Sequence, residues 1–211
     1  MAQITSGIRS LLASPRIYEA VQNLFGNPAF YREFVSLTLG ATGGERVLDV
    51  GSGTSDILSY LPQDVEYVGV EPHAPYHRAA QARFGARGRF ICGVLDETLA
   101  RALGSFDIVI LASVLHHLDD AEAARLLATL GAHSVADGML ATVDPVFVRG
   151  QSAVARLLIS LDRGRNVRHV PGYRALAEAE FRIVEGRVRH QSLPPYSNFI
   201  MTCRDPVRTG K

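Results

Sequence analysis

The chain has little of three things: long apolar runs, cysteine and net charge. No uninterrupted apolar run approaches the roughly 20 residues that a membrane-spanning helix needs, and the apolar part of segment 1–14 is too short for a signal peptide. We therefore expect a cytoplasmic protein without a membrane partner. The two cysteines, Cys92 and Cys203, lie in predicted strands without metal-ligand spacing, which favours buried thiols over a disulfide.

A formal net charge of +1 gives no reason to expect nucleic acid as a partner. With 211 residues, of which 47% are hydrophobic, the chain is long enough for one domain with one elaboration. Helical periodicity predicts an N-terminal helical cap over residues 1–40, ahead of a main domain over residues 41–211. An insertion at about 145–180, which contains a basic loop, is expected to cover the substrate.

Strand and helix patterns alternate five times between residues 46 and 143, which predicts a parallel sheet with helices on both faces. The last third differs, because the strand patterns Phe181 to Val188 and Asn198 to Cys203 have no helix between them. Two strands joined so closely must be antiparallel to each other. The predicted fold class is therefore α/β, with a mostly parallel sheet that ends in an antiparallel pair.

The stretch from Arg46 to Asp56 combines a strand, a tight turn with Gly51 and Gly53, and the start of a helix. This is the usual place for a nucleotide-like ligand in an α/β sheet. A dinucleotide fingerprint would need a third glycine at position 56, where this chain has Asp56. The acids Asp49 and Asp56 would repel a pyrophosphate and suit a ligand that carries positive charge.

Glu71 ends the second predicted strand, 20 residues after Gly51. An acid at this distance can accept hydrogen bonds from both hydroxyls of a ribose. The alternative is an acid that ends the strand by chance. Together with the glycine turn, Glu71 indicates a ribose and a cationic group without phosphates, which fits an adenosyl sulfonium with an amino-acid tail.

Three segments in this order closely resemble the class I S-adenosylmethionine-dependent methyltransferases that act on small molecules. They are Val-Leu-Asp-Val-Gly-Ser-Gly-Thr at 47–54, Tyr-Val-Gly-Val-Glu-Pro at 67–72 and Phe-Asp-Ile-Val-Ile-Leu-Ala-Ser-Val-Leu-His-His-Leu at 106–118. With the terminal strand pair, the resemblance covers about residues 27–204. It implies a Rossmann-like seven-stranded sheet in the order 3-2-1-4-5-7-6, with strand 7 antiparallel.

The resemblance also implies S-adenosylmethionine as cofactor and S-adenosylhomocysteine as product. The implied cofactor-binding residues follow the first four strands; they are Asp49, Gly51, Ser52, Gly53, Thr54, Asp56, Glu71, Pro72, His73, Val94, Leu95, Asp96, Ala112 and Ser113. Two positions depart from the family pattern. Ser55 replaces a third glycine, and Val94 replaces an acid, so polar recognition of adenine would fall to Asp96 or to backbone groups.

Methyl transfer needs a general base only if the acceptor carries a proton that must leave. The candidates for catalysis are His117, Asp144 and His169. Of the two adjacent histidines, His117 is expected to face the ligand, whereas His116 has either a packing role or a substrate-facing one. Asp144 follows the fifth strand and is either catalytic or part of a turn.

The residues considered for the acceptor are His116, Arg163, Arg165, Arg168 and Tyr196. The three arginines could clamp a carboxylate or phosphate, or they could belong to a solvated loop. The sequence therefore predicts a methyltransferase acting on an O or N atom of a small molecule, as a monomer or homodimer. Two alternatives stay open: a non-catalytic module that binds S-adenosylmethionine, and a nicotinamide-dependent oxidoreductase.

Overall fold

The computed structural model describes residues 28–135, 137–162, 164–192 and 195–207. The helices predicted between Gly7 and Phe25 lie outside these residues, as does Arg163. The described part of the N-terminal cap is helix α1 (Pro28–Glu33), which continues as π-helix over Phe34–Leu39. Within the described ranges, no helix combines the length and the apolar character needed to cross a membrane.

Seven strands form one sheet in the order β3-β2-β1-β4-β5-β7-β6. The strands are β1 (Arg46–Val50), β2 (Glu66–Glu71), β3 (Gly88–Cys92), β4 (Ile108–Ala112), β5 (Met139–Pro145), β6 (Phe181–Ser192) and β7 (Pro195–Pro206). Pairing is parallel from β3 to β5, whereas β7 is antiparallel to both β5 and β6. The predicted fold class, strand order and antiparallel last strand are confirmed.

The remaining helices connect these strands. They are α2 (Ala74–Phe84), α3 (Glu97–Leu103), α4 (Asp120–His133), α5 (Ala153–Ser160) and α6 (Val170–Glu178), with 3₁₀ turns at Asp56–Ser59 and Leu115–His117. Sequence periodicity did not predict α3, because seven residues are too few to show a helical repeat. Its signal is the N-cap, where the Asp96 carboxylate accepts a hydrogen bond from the backbone N–H of Leu99.

The central strands are apolar on both sides because helices cover both faces of the sheet. On one face Leu48 and Val109 pack in a cluster with Leu127 of α4. On the other face Val47 and Ile110 pack with residues that include Phe34. The N-terminal π-helix is thus part of the core on the second face.

The terminal strand pair is longer than predicted, since β6 and β7 each have 12 residues. Both cysteines are free thiols, as predicted. The prediction that both are buried is confirmed for Cys203 and wrong for Cys92, which is exposed. Cys92 is the last residue of β3, which is an edge strand of the sheet. An edge strand has a neighbour on one side only, which leaves its end open to solvent.

Candidate functional site

The glycine turn after β1 needs its glycines for two separate reasons. Gly51 and Gly53 have φ angles of 70° and 54°, in the left-handed region that side chains disfavour. In addition, a Cβ atom at Gly51 would lie 2.7 Å from Cγ2 of Val114, so the turn touches the segment after β4. Gly51 is thus required by both conformation and packing, and Gly53 by conformation alone.

Ser55, which stands where the resembling family has a third glycine, also adopts the left-handed conformation, with a φ of 57°. It is the N-cap of the 3₁₀ turn Asp56–Ser59 and is fully buried. A non-glycine residue in this conformation is strained.

Ser113, just after β4, has a φ of 60° and donates its backbone N–H to the carbonyl of Val143 over 2.7 Å. Strained backbone therefore occurs on both sides of the turn.

Asp49 is a buried carboxylate near the end of β1, with 3% of its surface exposed. Its Oδ2 accepts a hydrogen bond of 2.7 Å from the Tyr67 hydroxyl, whereas its Oδ1 has no partner. Burial raises the pKa of Asp49 to about 7, against the effect of the Tyr67 hydrogen bond. An unpaired buried carboxylate oxygen is a favourable partner for a cation.

Glu71, at the end of β2, ties the glycine turn to the start of α2. Its Oε2 accepts a hydrogen bond of 2.8 Å from the Gly53 N–H, and its Oε1 accepts one of 2.7 Å from the His73 N–H. Each carboxylate oxygen can accept a second hydrogen bond. The backbone amides thus fix the carboxylate and leave it able to accept ribose hydroxyls.

The other predicted cofactor residues are spread over several environments. Asp56 is committed to the chain itself, because it accepts a hydrogen bond from the Thr54 hydroxyl at 2.8 Å and pairs with Arg83. The Leu95 side chain is packed in the hydrophobic core, so only its backbone is free to line a pocket. Val94 is 69% exposed. Pro72 and His73 are exposed as well.

Sequence reasoning missed an aromatic pair beside these acids. Tyr31 of α1 stacks on Tyr60 with 5.1 Å between ring centroids. Burial, followed by the charges of Asp56 and Asp49, raises the pKa of Tyr31 to about 12. The N-terminal cap therefore reaches the same group of acids. Neither tyrosine is part of a local motif, so the sequence held no signal for the pair.

His116 lies between two carboxylates after β4. Its Nδ1 is 2.8 Å from Asp144 Oδ1 at the end of β5, and its Nε2 is 3.3 Å from Asp162 Oδ1. The His116 side chain is 3% exposed, as is expected of the packing role. Burial alone would lower the pKa of His116, but the bonds to both acids raise it to about 9.

Tyr196 of β7 extends this group, since its hydroxyl donates to Asp162 Oδ2 over 2.9 Å. Asp144 Oδ2 is buried and has no partner. Three predicted residues are thus connected: Asp144 contacts His116 directly, and Tyr196 reaches His116 through Asp162, which was not predicted. Asp162 is too far along the chain from His116 for spacing to suggest the contact.

The remaining predicted residues lie outside this group. The ring of the exposed His117 is 4.1 Å from the His116 ring. His169 is exposed at the start of α6, with its Nδ1 2.8 Å from the carbonyl of Phe147.

Of the arginines predicted to clamp an anion, Arg168 differs from expectation. Arg165 is exposed. Arg168 binds the carbonyls of Leu115 and Leu118 at 2.8 Å each and pairs with Asp120, and its side chain is only 10% exposed. Its guanidinium is therefore used within the chain, which corrects its assignment to the substrate.

Comparison with known proteins found a matching family and several similar solved structures. Residues 47–138 match the model of a methyltransferase domain family. No curated protein matches the chain. The solved structure of the pyocyanin biosynthetic protein PhzM superposes on 95% of the chain with a TM-score of 0.70 and 18% identity, and the chain covers 62% of PhzM.

Two further structures have similar scores. An O-methyltransferase family protein from Burkholderia thailandensis superposes on 98% of the chain with a TM-score of 0.66 and 15% identity; the chain covers 65% of it. The plantazolicin methyltransferase BpumL, solved in complex with S-adenosylhomocysteine (SAH), superposes on 93% of the chain with a TM-score of 0.63 and 12% identity, and 93% of it is covered. The chain thus spans less than two thirds of the first two proteins and most of the third.

The strand order, the glycine turn and the matched segment all lead to the same assignment. Residues 47–138 are similar to the methyltransferase domain family, and the described fold is that of the class I S-adenosylmethionine-dependent methyltransferases.

Proposed function

We propose that the chain transfers a methyl group from S-adenosylmethionine to an O or N atom of a small molecule. The observation that supports this best is the site at the carboxyl ends of three adjacent strands. There Asp49 of β1 has an unpaired buried oxygen, His116 follows β4, and Asp144 lies near the end of β5. Ligands of open α/β sheets bind at this edge.

The residues present fit the cofactor. Asp49 and the glycine turn would hold its cationic methionine end, and Glu71 would accept its ribose hydroxyls. Pro72, His73, Val94 and Asp96 would surround the adenine, with backbone groups of Ala112 and Ser113 next to the methionine amino group. When bound, S-adenosylmethionine would supply a methyl group on a positively charged sulfur, and S-adenosylhomocysteine would remain.

The acceptor side of the site is acidic. Asp144 and Asp162 flank His116, whereas Arg168 is used within the chain. This favours a neutral or cationic acceptor over the anionic one that the arginines had suggested. We assign His116, held by Asp144, as the group that takes up an acceptor proton, with the exposed His117 as its neighbour. Methyl transfer itself depends mainly on the placement of the acceptor atom.

One observation favours a second function, a module that binds S-adenosylmethionine without catalysis. Each ring nitrogen of His116 lies next to a carboxylate, so this histidine is not available to take a proton from an acceptor. Turnover separates the two functions. Transfer of radiolabelled methyl groups from S-adenosylmethionine to a small-molecule extract would support the enzyme, and binding without transfer to any fraction would support the module.

The proposal is tested first by calorimetry on ligand-free protein. S-adenosylmethionine and S-adenosylhomocysteine should both bind, and the Glu71→Ala variant should bind the cofactor more weakly by about 1.5 to 3 kcal/mol, because hydrogen bonds to a charged group are lost. Glu71→Gln is the matched control that keeps the shape of the side chain. Absence of binding of either compound to the unaltered protein would overturn the proposal.

A further inference from the structure

A short part of the insertion is fastened onto the segment that carries His116. This part consists of Asp162 and residues 164–168, and we refer to it as the clasp. The Gly164 N–H donates to Asp162 Oδ1 at 2.8 Å, and the Asn166 N–H donates to the His116 carbonyl at 3.0 Å. Arg168 closes the far end through the carbonyls of Leu115 and Leu118. The clasp is thus bonded to the 3₁₀ turn and its end at several points.

The clasp lies directly against the His116 ring. A Cβ atom on Gly164 would be 1.9 Å from Cδ2 of His116, so the backbone of the clasp touches the ring and no atom fits between them. Gly164 itself is buried. The absence of a side chain at this position is what allows the contact.

Every polar position of the His116 ring is occupied while the clasp is in place. Nδ1 is 2.8 Å from Asp144 and Nε2 is 3.3 Å from Asp162, so a carboxylate oxygen lies next to each ring nitrogen. Asp162 is in turn held by the Tyr196 hydroxyl at 2.9 Å. Of the two acids, Asp162 is the accessible one, with 26% of its side chain exposed against 2% for Asp144.

We propose that Asp162 is a positioning residue that gates His116: with the clasp closed, it occupies the ring nitrogen that an acceptor hydroxyl or amine would need. Acceptor binding must therefore displace Asp162 from Nε2, whereas Asp144 stays on Nδ1 and keeps the ring oriented. This inference rests on the proposed function and adds a step that precedes the chemistry.

The proton balance follows from the two bonds. In the closed clasp the ring carries two N–H groups and is a cation. When Asp162 leaves, the Nε2 proton goes to solvent and the Nδ1 proton remains on the bond to Asp144. The acceptor proton then passes to the free Nε2, and the electron pair that it leaves on the acceptor atom forms the bond to the methyl carbon, whose former bonding pair stays on sulfur.

Several groups influence this titration, and all of them must be considered in a test. Besides Asp144 and Asp162, the Tyr173 hydroxyl bonds the carbonyl of Pro145, next to Asp144. The other neighbours with titratable or charged groups are His117, Arg168 and Tyr196. Among the described residues of the clasp, Asp162 is the one that contacts a ring nitrogen, so its replacement isolates the gate.

The experiment uses diethyl pyrocarbonate, which modifies unprotonated imidazole nitrogens, on cofactor-free protein at pH 7. Modification of His116 is followed by peptide mass spectrometry relative to the exposed His73. We expect His116 to be protected in the unaltered protein. Asp162→Asn should speed its modification by about tenfold or more, because a fall of one unit in the pKa of His116 raises the unprotonated fraction tenfold.

Two variants serve as controls. Asp120→Asn removes a partner of Arg168 without touching the ring, and it should leave His116 protected. Asp162→Glu restores a carboxylate and should recover the protection at least in part. Near-ultraviolet circular dichroism checks that each variant is folded, and ¹⁵N spectra of labelled histidine should show the titration midpoint of His116 lowered in Asp162→Asn only.

The proposal is overturned if His116 in the unaltered protein reacts as fast as His73, or if Asp162→Asn leaves both its reactivity and its titration unchanged. These outcomes are separate from the proposed function. A protein that binds S-adenosylmethionine with His116 unprotected would remove the gate only. Protection of His116 in a protein that binds no S-adenosylmethionine would remove the function and keep the contact.

Discussion

Asp49 shows how a single residue can be costly to the fold and useful to the site. The position lies in a buried strand, where an apolar residue would pack without penalty, yet it holds a carboxylate with one oxygen unpaired. A buried charge without a full set of partners destabilises the folded state. The Tyr67 hydroxyl offsets part of this cost, and a bound cation would offset more.

The energetic cost of burying the Asp49 carboxylate rises with pH. The pKa of Asp49 is about 7 in the folded chain and near 3.9 when unfolded, so the folded state keeps a proton that the unfolded state has lost. The free energy of unfolding therefore falls as pH rises from about 4 to 7, and the loss is complete above the folded pKa.

Asp49→Asn should remove this dependence. We expect the variant to be more stable than the unaltered chain at pH 8, by on the order of 1 to 3 kcal/mol, and close to it at pH 4. At the same time it should bind S-adenosylmethionine more weakly, because the negative charge is lost. Urea unfolding at both pH values and calorimetry measure the two effects.

Asp64→Asn removes the same charge from an exposed position and is the control for net charge. A variant at position 49 that is no more stable at pH 8 than the unaltered chain would mean that Asp49 is already well compensated without a ligand.

At the scale of elements, α1 is held against the end of the sheet by charge. Glu33 accepts hydrogen bonds of 3.1 Å from Arg187 Nη1 and 2.9 Å from Arg189 Nε, both on β6. Arg189 also stacks over the Phe30 ring, with 5.0 Å from its Cζ to the centroid. Since Tyr31 lies on the same helix and beside the acids of the site, this ion pair also holds Tyr31 in position.

Glu33→Gln should destabilise the protein at neutral pH by at most about 1 kcal/mol, the usual size for a partly exposed ion pair. Burial opposes the shift, but the two arginines hold the pKa of Glu33 below its ordinary value. Its contribution is therefore present above the unfolded pKa and is lost as pH falls through the lower, folded one. Thermal unfolding of both proteins at pH 7 and pH 3 tests this.

Glu66→Gln is the matched control, because Glu66 also pairs with an arginine, Arg46, but its side chain is 61% exposed. If the two variants lose equal stability, the contact between α1 and β6 contributes no more to the free energy of unfolding than an exposed ion pair does.

The 3₁₀ turn at His116 and the clasp show what element patterns can and cannot predict. The amphipathic helices were predictable from their period, and the central strands from short continuous apolar runs between turn residues. Helix α3 was missed because it is short, and the clasp contact was missed because it joins residues 46 positions apart that share no period. The contact of Asp162 was therefore missed because of its distance along the chain, and not because the interaction is weak.

At the scale of the whole molecule, the sheet encloses one thiol and exposes the other. Cys203 lies in β7, paired on both sides by β5 and β6, and burial raises the pKa of its thiol to about 12. Cys92 ends the edge strand β3 and is exposed. A thiol reagent should therefore reach Cys92 in the folded chain, whereas it should reach Cys203 only when the sheet opens.

Ellman's reagent should label one thiol per folded chain and two per chain in denaturant. Labelling of Cys203 in the native state should be slow and should follow the unfolding rate, because the central strands must separate before a thiolate can form. Cys92→Ser leaves Cys203 alone for this measurement. Fast labelling of that variant without denaturant would mean that β7 opens locally.

The sequence by itself determined the α/β class, through its alternating strand and helix patterns, and the antiparallel terminal pair, through the missing helix between its last two strands. The strand order followed from the resemblance to the methyltransferases, and the glycines of the turn with the acids of β1 and β2 led to the prediction of a ligand site at that edge. Only the tertiary structure decided which of the adjacent histidines is buried, that Arg168 is used within the chain and that Asp162 closes on His116. These depend on the insertion folding back over the end of β4, which brings together residues from three distant segments.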